Sequence, residues 1–351
     1  MKIFRLSSWL YVGLLFALVA CQPVTRRPET PTLIEYKIPT HAAHAGGITV
    51  GADGALWFAE TGANQIGRIT LDGVVTEYPI PTEDAMDDTQ GFVGLGPDGA
   101  IWFNEDRVNK LGRITPDGKI TEVDLPKGSG AIRQIVAGAD GALWVTTVDA
   151  NKIIKLSIEG KLLAEYMLPK ADSRPAGMVV GPDGALWFIE VGANQIGRIT
   201  MAGVITEYAI PTANSFPIRL TVGPDNALWF NMFGANKIGR ISLEGEITEY
   251  DTPGMGPLSL ATGADGAIWF TGYNSTEIGR LTPDGELTRI SIPTYAAVPY
   301  HIVAGLDGNL WFTEQQGNKI GQIKLPARMT AQAVPTLSSS QFKLPMTFAA
   351  N

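Results

Sequence analysis

The chemistry-bearing residues are few. The chain contains three histidines: His41, His44 and His301. Tyr300 directly precedes the last of them, and Glu314 follows in the same segment, while Glu60 follows the first two. Imidazole and carboxylate groups together transfer protons near neutral pH or bind a divalent metal ion. We therefore consider a proton-transfer or metal site, provided that the fold brings these distant residues together.

An internal repeat supplies that fold. Seven tryptophans recur 40 to 45 residues apart: Trp57, Trp102, Trp144, Trp187, Trp229, Trp269 and Trp311. The first copy covers residues 48–80, with Asp-Gly turns at Asp53 and Asp72, and reads as four short strands. Four strands at this period are typical of propeller blades. The sequence predicts an all-β, seven-bladed β-propeller.

The two ends of the repeat predict how the ring closes. Residues 33–40 match the fourth strand of the first copy, residues 75–82, whereas the seventh copy stops after its third strand. We expect the N-terminal strand to complete the last blade, because closure pairs edge backbone groups that would otherwise be exposed. The first and last blades then become neighbours. One sector would collect six side chains: His41, His44, His301, Tyr300, Glu60 and Glu314.

Function in a repeat protein is expected where the copies differ, especially around the central channel. Two columns of the repeat matter. The third residues after the tryptophans are Glu60, Glu105, Thr147, Glu190, Met232, Gly272 and Glu314. The residues that enter the innermost strands are Gly46, Gly91, Arg133, Ala176, Ile218, Leu258 and Tyr300. The alternative to a joint site is that the histidines are solvated loop residues that do not act together.

Composition narrows the partners. The 351-residue chain has 40 Gly, 23 Pro and a formal net charge of -8, so nucleic acid is not an expected partner. One arginine position recurs in the third strand of five copies: Arg68, Arg113, Arg198, Arg240 and Arg280. We interpret it as scaffold, because a residue required once per blade tends to stack on an aromatic ring or pair locally.

The N-terminus predicts export. Lys2 and Arg5 precede an apolar run over residues 9–20 that has the length of a signal-peptide core. The run ends in Leu-Val-Ala-Cys, which resembles a lipobox, so Cys21 is predicted to carry the lipid; an ordinary signal peptide is the alternative. We expect a signal peptide at 1–20, a tether at 21–31, a propeller at 32–326 and a tail at 327–351. The predicted location is extracytoplasmic, as a bacterial lipoprotein anchored at the periplasmic or cell-surface side of a membrane.

A family resemblance follows from the repeat. The phrase Gly-x-Asp-Gly-x-Leu-Trp-Phe-x-Glu, followed by Gly-x-Asn-x-Ile-Gly-Arg-Ile, recurs over about residues 32–325 and resembles virginiamycin B lyase. That resemblance implies a seven-bladed propeller that opens a cyclic depsipeptide, streptogramin B, at its ester by elimination. It also implies a histidine that moves the proton and a magnesium ion that polarises the ester carbonyl.

Carried over by position, the resemblance gives a mixed result. The metal-associated glutamate falls on Glu314, but the catalytic histidine falls on Tyr300, with His301 one residue late. A second glutamate falls on Val298 and a second histidine on Leu258. A shift by one residue in an extended segment turns a side chain to the opposite face.

Three functions remain open from the sequence. The first is a monomeric binding module that takes a small molecule or peptide at the channel mouth. The second is a metal-dependent carbon–oxygen lyase, with His301, Tyr300 and Glu314 as catalytic residues and Glu314, Glu60 and His44 around a magnesium ion. The third is a lactone or ester hydrolase. Whether the chain is an enzyme at all is left open by the sequence.

Overall fold

The computed structural model describes residues 30–87 and 91–326. The chain divides into two units, Met1–Thr30 and Pro31–Asn351. The predicted signal peptide, most of the predicted tether with Cys21, and the predicted tail lie outside the described residues. Those domain boundaries therefore stay predictions. Among the described residues there is no helix long and apolar enough to cross a lipid bilayer.

The described residues form seven antiparallel four-stranded sheets. The first blade comprises β2 (Ala45–Val50), β3 (Leu56–Glu60), β4 (Gln65–Ile69) and β5 (Val75–Pro79). The second comprises β6 (Val93–Leu95), β7 (Ile101–Glu105), β8 (Lys110–Ile114) and β9 (Ile120–Asp124). The third comprises β10 (Ile132–Ala137), β11 (Leu143–Thr147), β12 (Lys152–Leu156) and β13 (Leu162–Met167). The fourth comprises β14 (Pro175–Val180), β15 (Leu186–Glu190), β16 (Gln195–Ile199) and β17 (Ile205–Ala209).

The remaining blades follow the same pattern. The fifth comprises β18 (Leu220–Val222), β19 (Leu228–Met232), β20 (Lys237–Ile241) and β21 (Ile247–Asp251). The sixth comprises β22 (Pro257–Thr262), β23 (Ile268–Gly272), β24 (Glu277–Leu281) and β25 (Leu287–Ser291). The seventh comprises β26 (Pro299–Ala304), β27 (Leu310–Glu314), β28 (Lys319–Lys324) and the N-terminal β1 (Thr32–Lys37). Two short 3-10 helices, Asp106–Val108 and Phe233–Ala235, follow β7 and β19.

The predicted ring closure is confirmed. Strand β1 pairs antiparallel with β28, from Thr32 opposite Lys324 to Lys37 opposite Lys319. Tyr36 stacks on Trp311 with ring centroids 5.5 Å apart and donates its hydroxyl proton to Gln322 at 3.0 Å. The first strand of the domain therefore completes the last blade, as the two matching sequence segments predict.

A repeated polar cluster stabilises each blade. Every repeat tryptophan donates its indole N–H to the turn aspartate four residues earlier, as Trp187 does to Asp183 at 3.1 Å. The third-strand arginine donates to the other oxygen of that aspartate, as Arg198 does at 2.7 Å. Its guanidinium also lies 5.9 Å from the Trp187 ring centroid. The scaffold interpretation of the repeated arginine is confirmed, because its charge is neutralised inside the blade.

The core lies between adjacent blades. Trp57 of the first blade packs in one cluster with Phe103 of the second, and Trp311 of the seventh packs with Phe58 of the first. The seven tryptophans of the repeat are all nearly fully buried. Inter-blade packing of this kind fixes the positions of the innermost strands, which surround the channel.

Candidate functional site

A cavity of about 720 Å³ lies at one mouth of the central channel. Its walls come from the segments that begin the innermost strands and from those that follow the second strands, which meet at the same end of each blade. Five aromatic side chains contribute to this wall: Phe92, Phe216, Phe233, Tyr273 and Tyr300. We call this space the mouth cavity. Its volume and aromatic lining are typical of small-molecule sites.

Below the mouth cavity, the innermost strands enclose a second space of about 520 Å³, the channel cavity. Its lining includes Thr49, Ser259 and His301 from three different blades. Arg219 and Gly177 line both spaces. The guanidinium of Arg219 therefore lies at the boundary between the mouth and the channel.

Arg219 is the buried cation of this site. It is 7% exposed, and its guanidinium carbon lies 5.2 Å from the Phe92 ring centroid and 5.8 Å from the Tyr300 ring centroid. Burial lowers the pKa of Arg219, while the nearby Tyr300 hydroxyl opposes that shift. The two ring faces supply cation–π attraction, yet Nε of Arg219 has no hydrogen-bond partner among the described residues.

Tyr300 and His301 are adjacent in sequence, but their side chains line different cavities. Tyr300 lines the mouth cavity, whereas His301 lines the channel cavity. His301 Nδ1 accepts a hydrogen bond from the backbone N–H of Ile48 at 2.9 Å, which joins the seventh blade to the first. Burial and the positive charge of Arg219 lower the pKa of His301 well below its ordinary value. The imidazole is therefore neutral, with its Nδ1 lone pair already engaged.

His44 and His41 have different positions. His44 lines the mouth cavity in a left-handed backbone conformation, with φ of 49°, and its carbonyl oxygen accepts a hydrogen bond from the Thr61 hydroxyl at 2.9 Å. His41 is exposed in the same connection and lines neither cavity. Of the three histidines, only His44 lines the mouth cavity.

The predicted glutamates lie inside the blades. Glu60 and Glu314 end β3 and β27, are fully buried, and line neither cavity. Glu60 Oε1 lies 2.5 Å from the point that a Cβ atom on Gly67 would occupy, so its carboxyl group faces the third strand of its own blade. Burial, reinforced by the Glu77 and Glu35 charges respectively, raises the pKa of Glu60 and Glu314 to about 8.

The same feature recurs in two other blades. Glu105 and Glu190 are also fully buried, and burial raises the pKa of each to about 7. The polar neighbours of Glu60, Glu190 and Glu314 include Glu77, Ser173 and Glu35 respectively, which belong to the same blades or to the segments that enter them. The column of carboxylates is therefore a property of the blade interiors.

The structure brings part of the predicted site together. Tyr300 and His44 share the mouth cavity, and His301 lies beneath it, but Glu60 and Glu314 point into separate blades. The described residues contain no group of three or more His, Cys, Asp or Glu side chains that could hold one metal ion. The predicted magnesium ligands Glu314, Glu60 and His44 therefore do not fit a shared ion.

Several mouth residues escaped the sequence reasoning. Five residues that line the cavity all lie outside the two columns of the repeat: Arg174, Phe216, Arg219, Phe233 and Tyr273. Arg219 lies one residue after Ile218, which is in the second column. The pairing of β26 with β27 shifts register between Pro299 and Ile302. This irregularity interrupts the alternation of side chains at Tyr300 and His301, so both of these residues line a cavity. The sequence did hold a signal for Arg219: in the repeat position that follows the second column, it is the only arginine.

Fold and cavity define a class: a seven-bladed β-propeller with a ligand-sized pocket at one mouth of its channel. The Virginiamycin B lyase family model matches residues 12–89, 86–254 and 209–345. The chain belongs to that family.

Solved structures agree with this assignment. A streptogramin B lyase structure is 37% identical, with a TM-score of 0.78, and covers 84% of this chain and 98% of its own. A catalytically inactive histidine-to-alanine variant of virginiamycin B lyase from Staphylococcus aureus, with quinupristin, is 38% identical with a TM-score of 0.78. That match covers 85% of this chain and 100% of the other. The virginiamycin B lyase of Nocardia farcinica (strain IFM 10152) is 48% identical over 48 residues, which are 14% of this chain and 17% of that protein.

Proposed function

We propose that this propeller binds a small organic molecule or short cyclic peptide in the mouth cavity, and that binding rather than lyase chemistry is its function. The observation that carries the proposal is the cavity itself, about 720 Å³ with five aromatic side chains in its wall. Aromatic walls bury large ligand areas at low entropic cost, and a few polar groups orient the ligand.

The positions that differ from the family's catalytic set favour binding over elimination. The resemblance to the family places its catalytic histidine at Tyr300. The phenol of a tyrosine is a far weaker base than imidazole near neutral pH. His301 lies below the mouth, and its Nδ1 accepts the Ile48 N–H. Leu258, at the place of the second histidine, also lines the cavity and supplies apolar surface instead.

A lyase is the second candidate, because His44 and Tyr300 line the same cavity. In that case the His44 imidazole would accept a proton from the carbon next to the one that bears the ester oxygen, and a C=C bond would form between these two carbons. The Tyr300 hydroxyl would donate a hydrogen bond to the enolate oxygen that develops on the carbonyl beside the deprotonated carbon. Elimination then breaks the ester C–O bond and releases a carboxylate without consuming water.

One experiment separates these functions. The purified chain without residues 1–21 is mixed with quinupristin in the presence of magnesium ions, and binding is followed by titration calorimetry while the products are examined by mass spectrometry. We expect binding with the ligand recovered intact. A ring-opened isomer of unchanged mass would show the lyase, and a gain of one water would show the hydrolase.

Two variants locate the binding. Tyr273→Ala removes an aromatic side chain from the cavity wall and should weaken binding by roughly tenfold. Tyr295→Ala is the matched control, because Tyr295 is 97% exposed and lines neither cavity. Equal losses in both variants would contradict a site at the mouth.

We also propose export and lipid anchoring through Cys21, supported by the order of charged, apolar and small residues before it. Metabolic labelling with an alkyne fatty acid in a bacterial host tests this. Label that appears on the wild type and disappears in Cys21→Ser supports the anchor, whereas label that persists would contradict it.

A further inference from the structure

The charge of the mouth cavity is opposite to that of the protein. The chain carries a formal net charge of -8, yet the cavity lining includes three arginines, Arg133, Arg174 and Arg219. None of the described lining residues is acidic. Concave, partly dehydrated sites strengthen the field of such charges, so the lining favours ligands of the opposite sign.

Arg219 carries the most information, because it is both buried and free of a carboxylate. No described Asp or Glu forms an ion pair with its guanidinium, its Nε lacks a partner, and the polar side chain beside its charge is the Tyr300 hydroxyl. Removing a cation from water without pairing it is costly, and the rings of Phe92 and Tyr300 offset only part of that cost. An anionic group of a ligand would supply the missing partner.

The charges of the other two arginines of the lining, Arg133 and Arg174, are better compensated than that of Arg219. Arg133 lies 3.6 Å from the Asp106 carboxylate, and its guanidinium lies 5.9 Å from the Phe92 ring centroid. Arg174 is exposed at the rim, so water solvates its charge. Only Arg219 among these three combines burial with an incomplete set of partners.

We infer that the mouth cavity selects molecules with an aromatic or apolar body and one anionic group, a carboxylate, phosphate or sulfonate, which Arg219 binds at the cavity floor while the aromatic wall packs on the body. This inference rests on the proposed binding function and names its ligand class. Arg133 and Arg174 add longer-range attraction, and Arg219 is the specificity-determining residue.

A pair of fluorescent probes tests it. Anilinonaphthalene sulfonate and phenylnaphthylamine have nearly the same ring system, but only the first carries an anionic group, and both become fluorescent in apolar sites. We expect the sulfonate to bind the wild type more tightly than the neutral probe. Arg219→Gln should weaken sulfonate binding roughly tenfold to a hundredfold and leave the neutral probe within about threefold.

Two controls separate ligand recognition from structure and from net charge. Lys324→Gln removes the same charge from an exposed residue outside both cavities and should leave both probes within about threefold of the wild type. Arg219→Lys retains the charge and should recover part of the sulfonate affinity. Competition by benzoate against inorganic phosphate then tells whether a carboxylate or a phosphate is the preferred anion.

The outcomes are distinguishable. If both probes bind equally well and Arg219→Gln changes neither, the anionic class is wrong while the binding function stands. If Arg219→Gln weakens both probes equally and lowers the melting temperature, Arg219 only supports packing and the inference is overturned. If neither probe binds, the binding function itself fails with it.

Discussion

The repeated arginine of the blades and Arg219 of the mouth show two uses of the same side chain. Arg68, a member of the repeated set, donates to Asp53 at 2.7 Å beside the Trp57 ring. Arg219 lies against the rings of Phe92 and Tyr300 but faces no described carboxylate. The difference teaches that a charge present in most blades is neutralised within the blade, whereas a charge found in one copy remains available to a ligand.

The largest effect that would sharpen this comparison is on stability. Trp187→Ala removes a fully buried ring between blades and should lower the free energy of unfolding by about 3–5 kcal/mol. Phe216→Ala, at a mouth side chain that is 52% exposed, should change it by less than about 1 kcal/mol. Urea denaturation followed by circular dichroism measures both. Similar losses would mean that the mouth is part of the structural core.

The next largest effect compares the stability contributed by the arginine cluster of a blade with that contributed by Arg219. Asp183→Ala removes the acceptor of the Trp187 indole and of Arg198, so we expect a loss of about 1–3 kcal/mol in unfolding free energy. Arg219→Gln should leave that free energy unchanged or raise it, because it removes a buried charge without a carboxylate partner. A loss for Arg219→Gln as large as that for Asp183→Ala would erase the distinction between blade and mouth.

Blade-interior carboxyl groups predict a dependence of stability on pH. The pKa of Glu60 is about 8 in the folded protein, above the ordinary value of 4.5, so the folded state binds this proton more tightly than the unfolded state. The stabilisation is complete below about pH 4.5 and is lost as the pH rises through about 8. Glu60→Gln, which stays neutral, should retain about 1–3 kcal/mol more stability at about pH 8.5 than the wild type.

The matched control for this effect is Glu286→Gln, since Glu286 is exposed. Urea midpoints at about pH 5.5 and about pH 8.5 give the comparison for all three proteins. A wild-type midpoint that rises over this interval, or a Glu60→Gln profile as steep as the wild type, would show that Glu60 is ionised when folded.

The smallest effect is expected from metal removal. Because Glu60 and Glu314 face blade interiors rather than the mouth, chelation by EDTA should leave ligand affinity within about twofold. Magnesium belongs to the lyase alternative, in which turnover, not binding, would respond to it. Ligand affinity that is lost with EDTA and restored by magnesium would place a cation in the mouth cavity and contradict this prediction.

The fold was predictable from sequence for a physical reason. A blade is a local unit, so the aspartate of its first turn, its tryptophan and its third-strand arginine contact one another within one repeat length. Even the one long-range feature, the pairing of β1 with β28, was detectable because residues 33–40 resemble the fourth strand of another copy.

The site was less predictable, because it depends on how different blades meet around the channel. Sequence alone determined the repeat, the ring and the departures from the repeat at Tyr300, Arg133 and His301. Only the tertiary structure decided that Arg219 lies between Phe92 and Tyr300, and that the Glu60 and Glu314 carboxyl groups point into their blades. These facts depend on how neighbouring blades and strands pack, which brings together residues with no fixed spacing along the chain.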